Sequence, residues 1–281
     1  MQKRRYTVLL IAVFLIGLSL LLYPTVSDTW NQYHQTRAIM SYAEAIDEID
    51  SEQYDRMLER AYEFNAALAE SGIKFTLTDE ELARYESILD TTSTGLIGYI
   101  EIPKIGVQLS VAHGTGEAVL QVAAGHLEGT SFPVGGASTH AVITGHRGLP
   151  SARLFTDLDK LSTGDTFMIR VLNEVLTYEI DQILIVDPAD LSALQIEEGE
   201  DYCTLVTCTP YGVNTHRLLV RGHRVDTVEA LRVIVTADAL QIDTVIVAVV
   251  IASPVLVLLA VLALALPRRR EDEDEMDILS L

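Results

Sequence analysis

Two apolar segments without a charged residue, one near each end of the chain, constrain its architecture more than any other feature. The first covers residues 7–23 and follows the basic run 3–5, and the second covers residues 245–266 and precedes the basic run 268–270. An apolar helix of about 20 residues is long enough to cross a hydrocarbon core of about 30 Å. We therefore predict a transmembrane helix over each segment.

Each segment has an alternative interpretation. A secretory signal peptide also begins with basic residues and an apolar run. The run 7–23 is longer than a usual signal core, and residues 24–27 contain no small-x-small cleavage site, which favours an uncleaved anchor. A buried core helix is the alternative for 245–266, but this segment lacks a polar face and is followed by a basic stop.

Basic residues flank the outer ends of both segments, so the positive-inside rule predicts cytoplasmic chain ends and an external part over residues 28–243. The two tails hold six basic and six acidic residues, and the net charge of −20 therefore belongs to the external part. This charge argues against a nucleic-acid partner and favours cationic or neutral partners. Two cysteines exclude a disulfide-rich scaffold, and no Cys/His cluster has zinc spacing, so neither metal nor cofactor is predicted.

Residues 28–70 have the composition of an amphipathic helical arm. Apolar residues recur there at spacings of three and four, and the stretch contains neither Gly nor Pro. We predict one or two helices, broken near Asp50-Ser51 and ended by Ser71-Gly72, that serve as a stalk or a packing arm. Thr78 is a plausible cap for a further short helix.

From Gly98 onward the pattern changes to short β-branched or alternating runs separated by turn residues. Eight such runs predict a mainly β fold with a closed eight-stranded barrel and short helical pieces near 117–122 and 151–161. The predicted strands are 99–102, 107–111, 140–144, 166–171, 176–180, 182–186, 201–207 and 216–222.

The two cysteines lie on one apolar strand but have different surroundings. Cys203 lies within the strand, where a buried and inert thiol is expected. Cys208 lies at its end, because Pro210 cannot donate to a strand ladder. A disulfide is not predicted, since five residues of extended chain separate the two sulfurs by about 16 Å. Cys208, at the mouth of a barrel, is the candidate nucleophile.

A thiol nucleophile needs an acid or base partner and an oxyanion donor. His146 follows a predicted strand in a Gly-flanked turn, although a lone histidine in such a place is more often structural. Arg217 lies nine residues beyond Cys208, where an antiparallel return could bring it beside the thiol. The other histidines have plainer interpretations: His34 in the helical arm, His113 and His126 in Gly-rich turns, and His140, His216 and His223 at the surface or at strand edges.

Three motifs together resemble the sortase family. Residues 204–208 (TLVTC) match its Thr-Leu-x-Thr-Cys signature, 144–146 (TGH) its histidine motif and 214–217 (NTHR) its arginine motif. The longer blocks GYIEIPKIGV, GHLEGTS, GHRGLPS and TCTPYGVNTHRLLVRG are similar to class C, the pilin-polymerising sortases. The similarity covers about residues 30–225, and a C-terminal membrane span is also typical of that class.

The resemblance implies a sortase-like β-barrel and a cysteine transpeptidase. It implies that Cys208 is the nucleophile, His146 the general acid and base, and Arg217 the residue that positions substrate and oxyanion. The substrate would be a Leu-Pro-x-Thr-Gly-like sorting signal, and the acceptor a Lys amine of another pilin subunit. The implied location is the cell membrane of a Gram-positive-type envelope, with the catalytic domain extracellular.

One segment departs from the class C pattern. These enzymes usually carry a lid with an Asp-Pro-aromatic motif over the site, whereas residues 75–81 read FTLTDEE. Asp79 matches the motif, but Glu80 and Glu81 replace the proline and the aromatic residue. The lid is then shortened, uses Phe75 instead, or is missing, and we expect residues 71–81 to be mobile or to lie away from Cys208.

Other functions stay open on the motifs alone. A housekeeping sortase would use the amine of a cell-wall precursor as acceptor, a hydrolytic cysteine protease would use water, and a silent membrane-tethered scaffold would use neither. The predicted domains are a basic tail (1–6), a transmembrane anchor (7–23), a helical arm with the lid region (28–95), the barrel (96–226), a linker (227–244), a transmembrane helix (245–266) and a charged tail (267–281).

Overall fold

A computed structural model of the chain describes residues 2–92 and 94–227. The second predicted transmembrane helix, at 245–266, and the tail that follows it lie outside these residues. The larger of two compact units, Val26–Val233, holds the barrel and the helices packed on it.

The N-terminal helix α1 runs from Gln2 to Asp47. Of the helices that the structure describes, it alone is apolar and long enough to cross a membrane, a property of its length and composition over Arg5–Asp47. From Val26 onward α1 belongs to the larger unit, where Ile39, Tyr42 and Ile46 are buried.

The predicted break in the helical arm is confirmed. Helix α2 (Ser51–Ser71) begins where the Asp50 side chain accepts a hydrogen bond from the Gln53 backbone amide at 2.7 Å. It ends at Gly72, whose positive φ of 80° favours glycine. Helix α3 (Asp79–Glu86) begins with the expected cap, a reciprocal capping box between Thr78 and Glu81.

Eight strands form a closed barrel in the order β1-β2-β3-β4-β7-β8-β6-β5, and β5 pairs with β1 to close it. The pairs β2–β3 and β4–β7 are parallel, and the others are antiparallel. The strands are β1 (Leu96–Ile102), β2 (Val107–His113), β3 (Ala124–His126), β4 (Thr139–Thr144), β5 (Thr166–Val171), β6 (Glu174–Val186), β7 (Asp201–Thr209) and β8 (His216–Val225).

The predicted number of strands is right, but two of the predicted strands are one. The runs 176–180 and 182–186 belong to the single strand β6, whose pairing with β8 shifts register between Ile180 and Gln182. A bulge at Asp181 looks in sequence like a break between strands. The strand β3 was not predicted, because its sequence Ala-Gly-His has no β-branched residue. It forms because it pairs with β2 on one side and with β4 on the other.

The predicted helical pieces are smaller than expected. Helix α4 covers Glu117–Leu120, and within 151–161 only Leu158–Lys160 forms a short 3-10 helix. The loop between β4 and β5 instead packs Leu154, Phe155 and Leu158 into the barrel core. This packing fixes the loop that carries His146.

Candidate active site

Cys208 lies at the exposed end of β7 with its side chain on the outer face of the barrel. Side chains alternate along a strand, and Cys203 and Leu205 of β7 join the core. Val206 faces the opposite side, and Cys208 follows it two residues later. The thiol is half-buried, which makes it reachable by a substrate on the outer face.

Arg217 is the direct cross-strand partner of Cys208. The antiparallel pairing of β7 with β8 sets Cys208 opposite Arg217, and directly opposed residues have Cβ atoms about 4.5–5.5 Å apart. The Arg217 guanidinium donates to the carbonyls of His216 and Asn214 at 3.1 and 3.3 Å. Among the described residues, no carboxylate forms an ion pair with it, so its charge is available to a substrate.

His146 lies beside the thiol strand, in the turn after β4. The parallel register of β4 and β7 pairs Thr144 with Val206 and continues through Gly145, whose amide donates to the Val206 carbonyl at 3.0 Å. The Thr207 hydroxyl donates to the Gly145 carbonyl at 2.7 Å. His146 therefore follows at the level of Cys208. Gly145 is required because an added Cβ would lie 2.8 Å from the Phe155 ring.

Two residues that sequence reasoning did not single out hold the histidine turn. Arg147, with its side chain 8% exposed, forms an ion pair with Asp159 and donates to the Thr209 hydroxyl at 3.2 Å. The Tyr211 ring lies against Gly148 and 5.9 Å from the Arg147 guanidinium. Arg147 directly follows His146 in sequence, but only the fold shows that it ties this turn to the end of β7.

Glu117 supplies a carboxylate close to the histidine. Its Oε2 atom lies 3.7 Å from His146 Nε2, and its side chain is 73% exposed. An exposed pair of this length contributes little to stability. Within the described residues, no group of three or more His, Cys, Asp or Glu side chains is arranged to hold a metal ion.

The second thiol has the opposite environment. Cys203 is fully buried, and desolvation raises its pKa well above the ordinary value. Because the thiolate is the nucleophilic form, a buried thiol of this kind is inert. The prediction of a buried Cys203 and a more accessible Cys208 therefore agrees with their positions on opposite faces of β7.

An apolar cluster, here called the outer groove, lies on the same face of β7 and β8 as Cys208 and Arg217, and its central residues Val142, Leu194 and Leu219 are buried. Its floor comes from four barrel strands, and one wall comes from the β6–β7 loop (187–200). The apolar residues that form it are Val142, Val206, Leu219, Leu184, Val186, Leu191, Ala193, Leu194 and Leu127. Leu219 is two residues from Arg217, and Val206 is two residues from Cys208, so the cluster adjoins both site residues on this face.

The segment between α2 and α3 packs on the barrel. Phe75 packs against the outer groove. The carbonyl of Lys74 comes so close to Gly129 that an added Cβ would stand 1.7 Å from the oxygen. Asp79 is exposed at the start of α3 and forms no ion pair with Arg217 in the described structure. Of the two possible lid residues, Phe75 is the one that contacts the groove.

The interpretation of His140 as a surface or strand-edge residue is wrong. His140 lies on β4 but is fully buried, because the β6–β7 loop covers the outer face of the strand there. His126 is likewise buried, and it lies in β3 rather than in a Gly-rich turn. No local sequence signal marks either burial, since each depends on a segment distant in the chain.

The comparisons with known proteins agree with this geometry. Residues 100–225 match the sortase domain. The crystal structure of sortase C1 from Streptococcus agalactiae is 55% identical, covers 68% of this chain and 100% of its own, and gives a TM-score of 0.67. Clostridium perfringens sortase C, solved with the C-terminal cell wall sorting motif, is 40% identical, covers 68% and 100%, and gives 0.61.

The curated relatives are more distant. Sortase D of Bacillus subtilis is 30% identical over 131 residues, which are 46% of this chain and 63% of that protein. The match thus spans less than two thirds of its length. A strand-end thiol paired with arginine, beside a histidine turn on a closed barrel, is an arrangement suited to cysteine acyl transfer. The chain belongs to the sortase family of cysteine transpeptidases.

Proposed function

We propose that this protein is a membrane-anchored, class C type sortase that joins pilin subunits. It cleaves a Leu-Pro-x-Thr-Gly-like sorting signal between Thr and Gly and transfers the acyl group to a Lys amine of another subunit. The observation that carries the proposal is the register pairing of Cys208 with Arg217, with the His146 turn alongside. The similarity to two structures called sortase C supports the class.

The first half-reaction forms a thioester. The Cys208 thiolate attacks the carbonyl carbon of the signal threonine, and a C–S bond forms. The peptide C–N bond then breaks, and the imidazolium of His146 gives its proton to the departing amine nitrogen. Arg217 donates hydrogen bonds to the oxygen that becomes negative, a role suited to its fixed charge and forked donors.

The second half-reaction restores the resting site. The uncharged amine of the acceptor lysine attacks the thioester carbon, and a C–N bond forms. The nitrogen gives one proton to His146, the C–S bond breaks, and Cys208 leaves as a thiolate. No external energy source is required, because the new amide replaces the cleaved one.

The outer groove is suited to the apolar end of the sorting signal. It carries Leu and Val side chains on the face that leads to Cys208, and a buried leucine gains about 1.5–3 kcal/mol by leaving water. In this proposal Phe75 occupies part of the groove in the resting enzyme and must leave when the signal binds. The lid is then an aromatic side chain without the Asp–Arg contact.

We further propose that α1 anchors the enzyme and that the barrel faces the outside of the cell. The basic residues before the apolar segment support this orientation. Protease added to wall-free cells should digest the barrel and spare a tag placed after Leu281. Digestion of that tag would contradict the proposed second span at 245–266.

The proposed reaction is tested by trapping its intermediate. Full-length enzyme in detergent is incubated with a pilin bearing the sorting signal, and the Cys208 thioester is identified by mass spectrometry. Lysine-bearing pilin, cell-wall precursor amine or water is then supplied. Resolution by the pilin lysine supports pilus polymerisation, and resolution by precursor amine alone supports the housekeeping function. Failure to form any thioester would exclude both.

A further inference from the structure

His140 is held by two hydrogen bonds that define its protonation. Its Nδ1 atom lies 2.8 Å from the carbonyl oxygen of Gln195, and its Nε2 atom lies 2.8 Å from the hydroxyl of Thr204. A carbonyl oxygen only accepts, so Nδ1 carries the hydrogen. In the neutral ring Nε2 then accepts from the Thr204 hydroxyl. Burial favours this neutral ring and lowers the pKa of His140.

The two partners of His140 belong to different parts of the site. Thr204 is the first residue of the Thr-Leu-Val-Thr-Cys motif and lies on β7, four residues before Cys208. Gln195 lies in the β6–β7 loop, next to Leu194, which is 4% exposed in the wall of the outer groove. His140 therefore connects the strand that carries the nucleophile with the loop that walls the groove.

Other contacts hold the loop, but they act further from the groove. Arg221 forms an ion pair with Glu197 at 3.1 Å. The Gly199 amide donates to the Ser138 hydroxyl at 2.9 Å, and the Thr139 amide donates to the Glu200 carbonyl at 3.0 Å. These contacts fix residues 197–200. The bond from His140 is the buried side-chain contact beside the apolar wall itself.

We infer that Thr204, His140 and the Gln195 carbonyl form a positioning relay that keeps the wall of the outer groove preformed for the sorting signal. The inference rests on the proposed function, since it assigns the groove to that substrate. Thr204 and His140 are positioning residues, because they act through the loop and not on the reacting atoms. A groove that is preformed only part of the time binds with an apparent affinity reduced by that fraction.

Steady-state kinetics of the full-length enzyme in detergent test the relay. The probes are a sorting-signal peptide as substrate and hydroxylamine as acceptor. Thr204→Val removes the hydroxyl at nearly constant shape and should raise KM about two- to tenfold, with kcat within about twofold. His140→Phe should raise KM at least as much. The double variant should match His140→Phe, because Thr204 acts through His140.

Tyr42→Phe is the matched control. The Tyr42 hydroxyl is also buried, donates to the Ile97 carbonyl at 2.9 Å and accepts from the Leu172 amide at 2.8 Å. It connects α1 to the barrel away from the groove. This variant should lose comparable stability and keep the KM of the wild type. An equal rise in KM for Tyr42→Phe would show that general loosening, and not the relay, sets affinity.

Hydrogen exchange separates failure of the relay from failure of the proposed function. Backbone amides of residues 191–196 should exchange faster in Thr204→Val than in wild type and should be unchanged in Tyr42→Phe, whatever substrate the enzyme uses. If residues 191–196 exchange faster in Thr204→Val but the enzyme does not cleave the sorting peptide, the relay is supported and the proposed substrate is rejected. Unchanged exchange, an unchanged KM or additive effects in the double variant would each overturn the relay.

Discussion

Cys208 and Arg217 face each other across two antiparallel strands, so that the fold itself sets the separation of their Cα atoms. This pairing is fixed by the backbone, since the eight residues between Cys208 and Arg217 form the strand ends and the turn that joins them. The guanidinium also donates to two carbonyls of its own turn. These bonds hold the positive charge at the turn that joins β7 to β8, where the proposed mechanism needs an oxyanion donor.

Replacing Arg217 should therefore reduce catalysis with little effect on the fold. Arg217→Ala should lower kcat roughly 100-fold or more, the usual cost of losing an oxyanion donor. Arg217→Lys should recover only part of the lost kcat, because an ammonium group lacks the forked donors of a guanidinium. Arg56→Ala, which removes an exposed arginine paired with Glu52 on α2, is the control. Similar activity for Arg217→Ala and Arg56→Ala would reject the assigned role.

The two cysteines should respond oppositely to substitution and to alkylation. Cys208→Ala should abolish transpeptidation with little change in Tm, since one half-buried sulfur at a strand end is lost. Cys203→Ala should retain activity and cost about 1–2 kcal/mol of stability, because it leaves a small cavity in the core.

Iodoacetamide at mildly alkaline pH gives an independent measurement of the same difference. The raised pKa of Cys203 keeps it as a buried thiol, so peptide mapping of the native enzyme should show label on Cys208 alone. An active Cys208→Ala or an inactive Cys203→Ala would show that the nucleophile is misassigned.

The sequence predicts the outline of the site because local signals mark strand ends. Pro210 ends β7 after Cys208, and the Gly-flanked turn after β4 carries His146. The strand β3 and the burial of His140 could not be predicted in this way. β3 is held by pairing with β2 and β4, and His140 is covered by the β6–β7 loop, and neither contact is visible in the local sequence pattern.

The lid segment, residues 71–81, is a second place where local sequence signals do not reveal a contact. Composition around Glu80 and Glu81 indicates a solvated stretch, and both acids indeed lie on α3, where Glu81 completes the capping box. The residue that packs on the groove is Phe75, five and six positions earlier. The strands that Phe75 packs against are brought together only by the barrel, so the sequence around Phe75 does not reveal this contact.

Phe75 should compete with the sorting signal for the outer groove. Phe75→Ala should lower KM for a sorting-signal peptide about three- to tenfold, because the free enzyme no longer fills part of its own site. Asp79→Ala should leave KM unchanged, since Asp79 is exposed and makes no ion pair with Arg217 in the described structure. A lower KM for Asp79→Ala alone would indicate a lid that works through the Asp–Arg contact.

Protonation of the buried His126 should make stability depend on pH. Its Nε2 atom donates to the Ser131 carbonyl at 2.8 Å, and its Nδ1 atom lies 2.9 Å from the Tyr85 hydroxyl. Complete burial lowers the pKa of His126 to about 4, from an ordinary value near 6.5. Between these two values the unfolded chain binds a proton that the folded protein does not. The stabilising contribution is therefore complete above about pH 6.5 and is lost as pH falls toward 4.

The size of this effect is roughly 3 kcal/mol over the whole interval. Glu81, whose pKa is lowered to about 2 by bonds from Thr78 and Lys74, loses its stabilising contribution only at still lower pH.

Urea unfolding of the full-length protein in neutral detergent at pH 7 and pH 4.5 measures the change in the free energy of unfolding between these two pH values. His126→Gln should reduce stability at pH 7 and shrink the gap between the two pH values. His34→Gln, at an exposed position on α1, should preserve the gap. An undiminished gap in His126→Gln would assign the acid sensitivity to other groups.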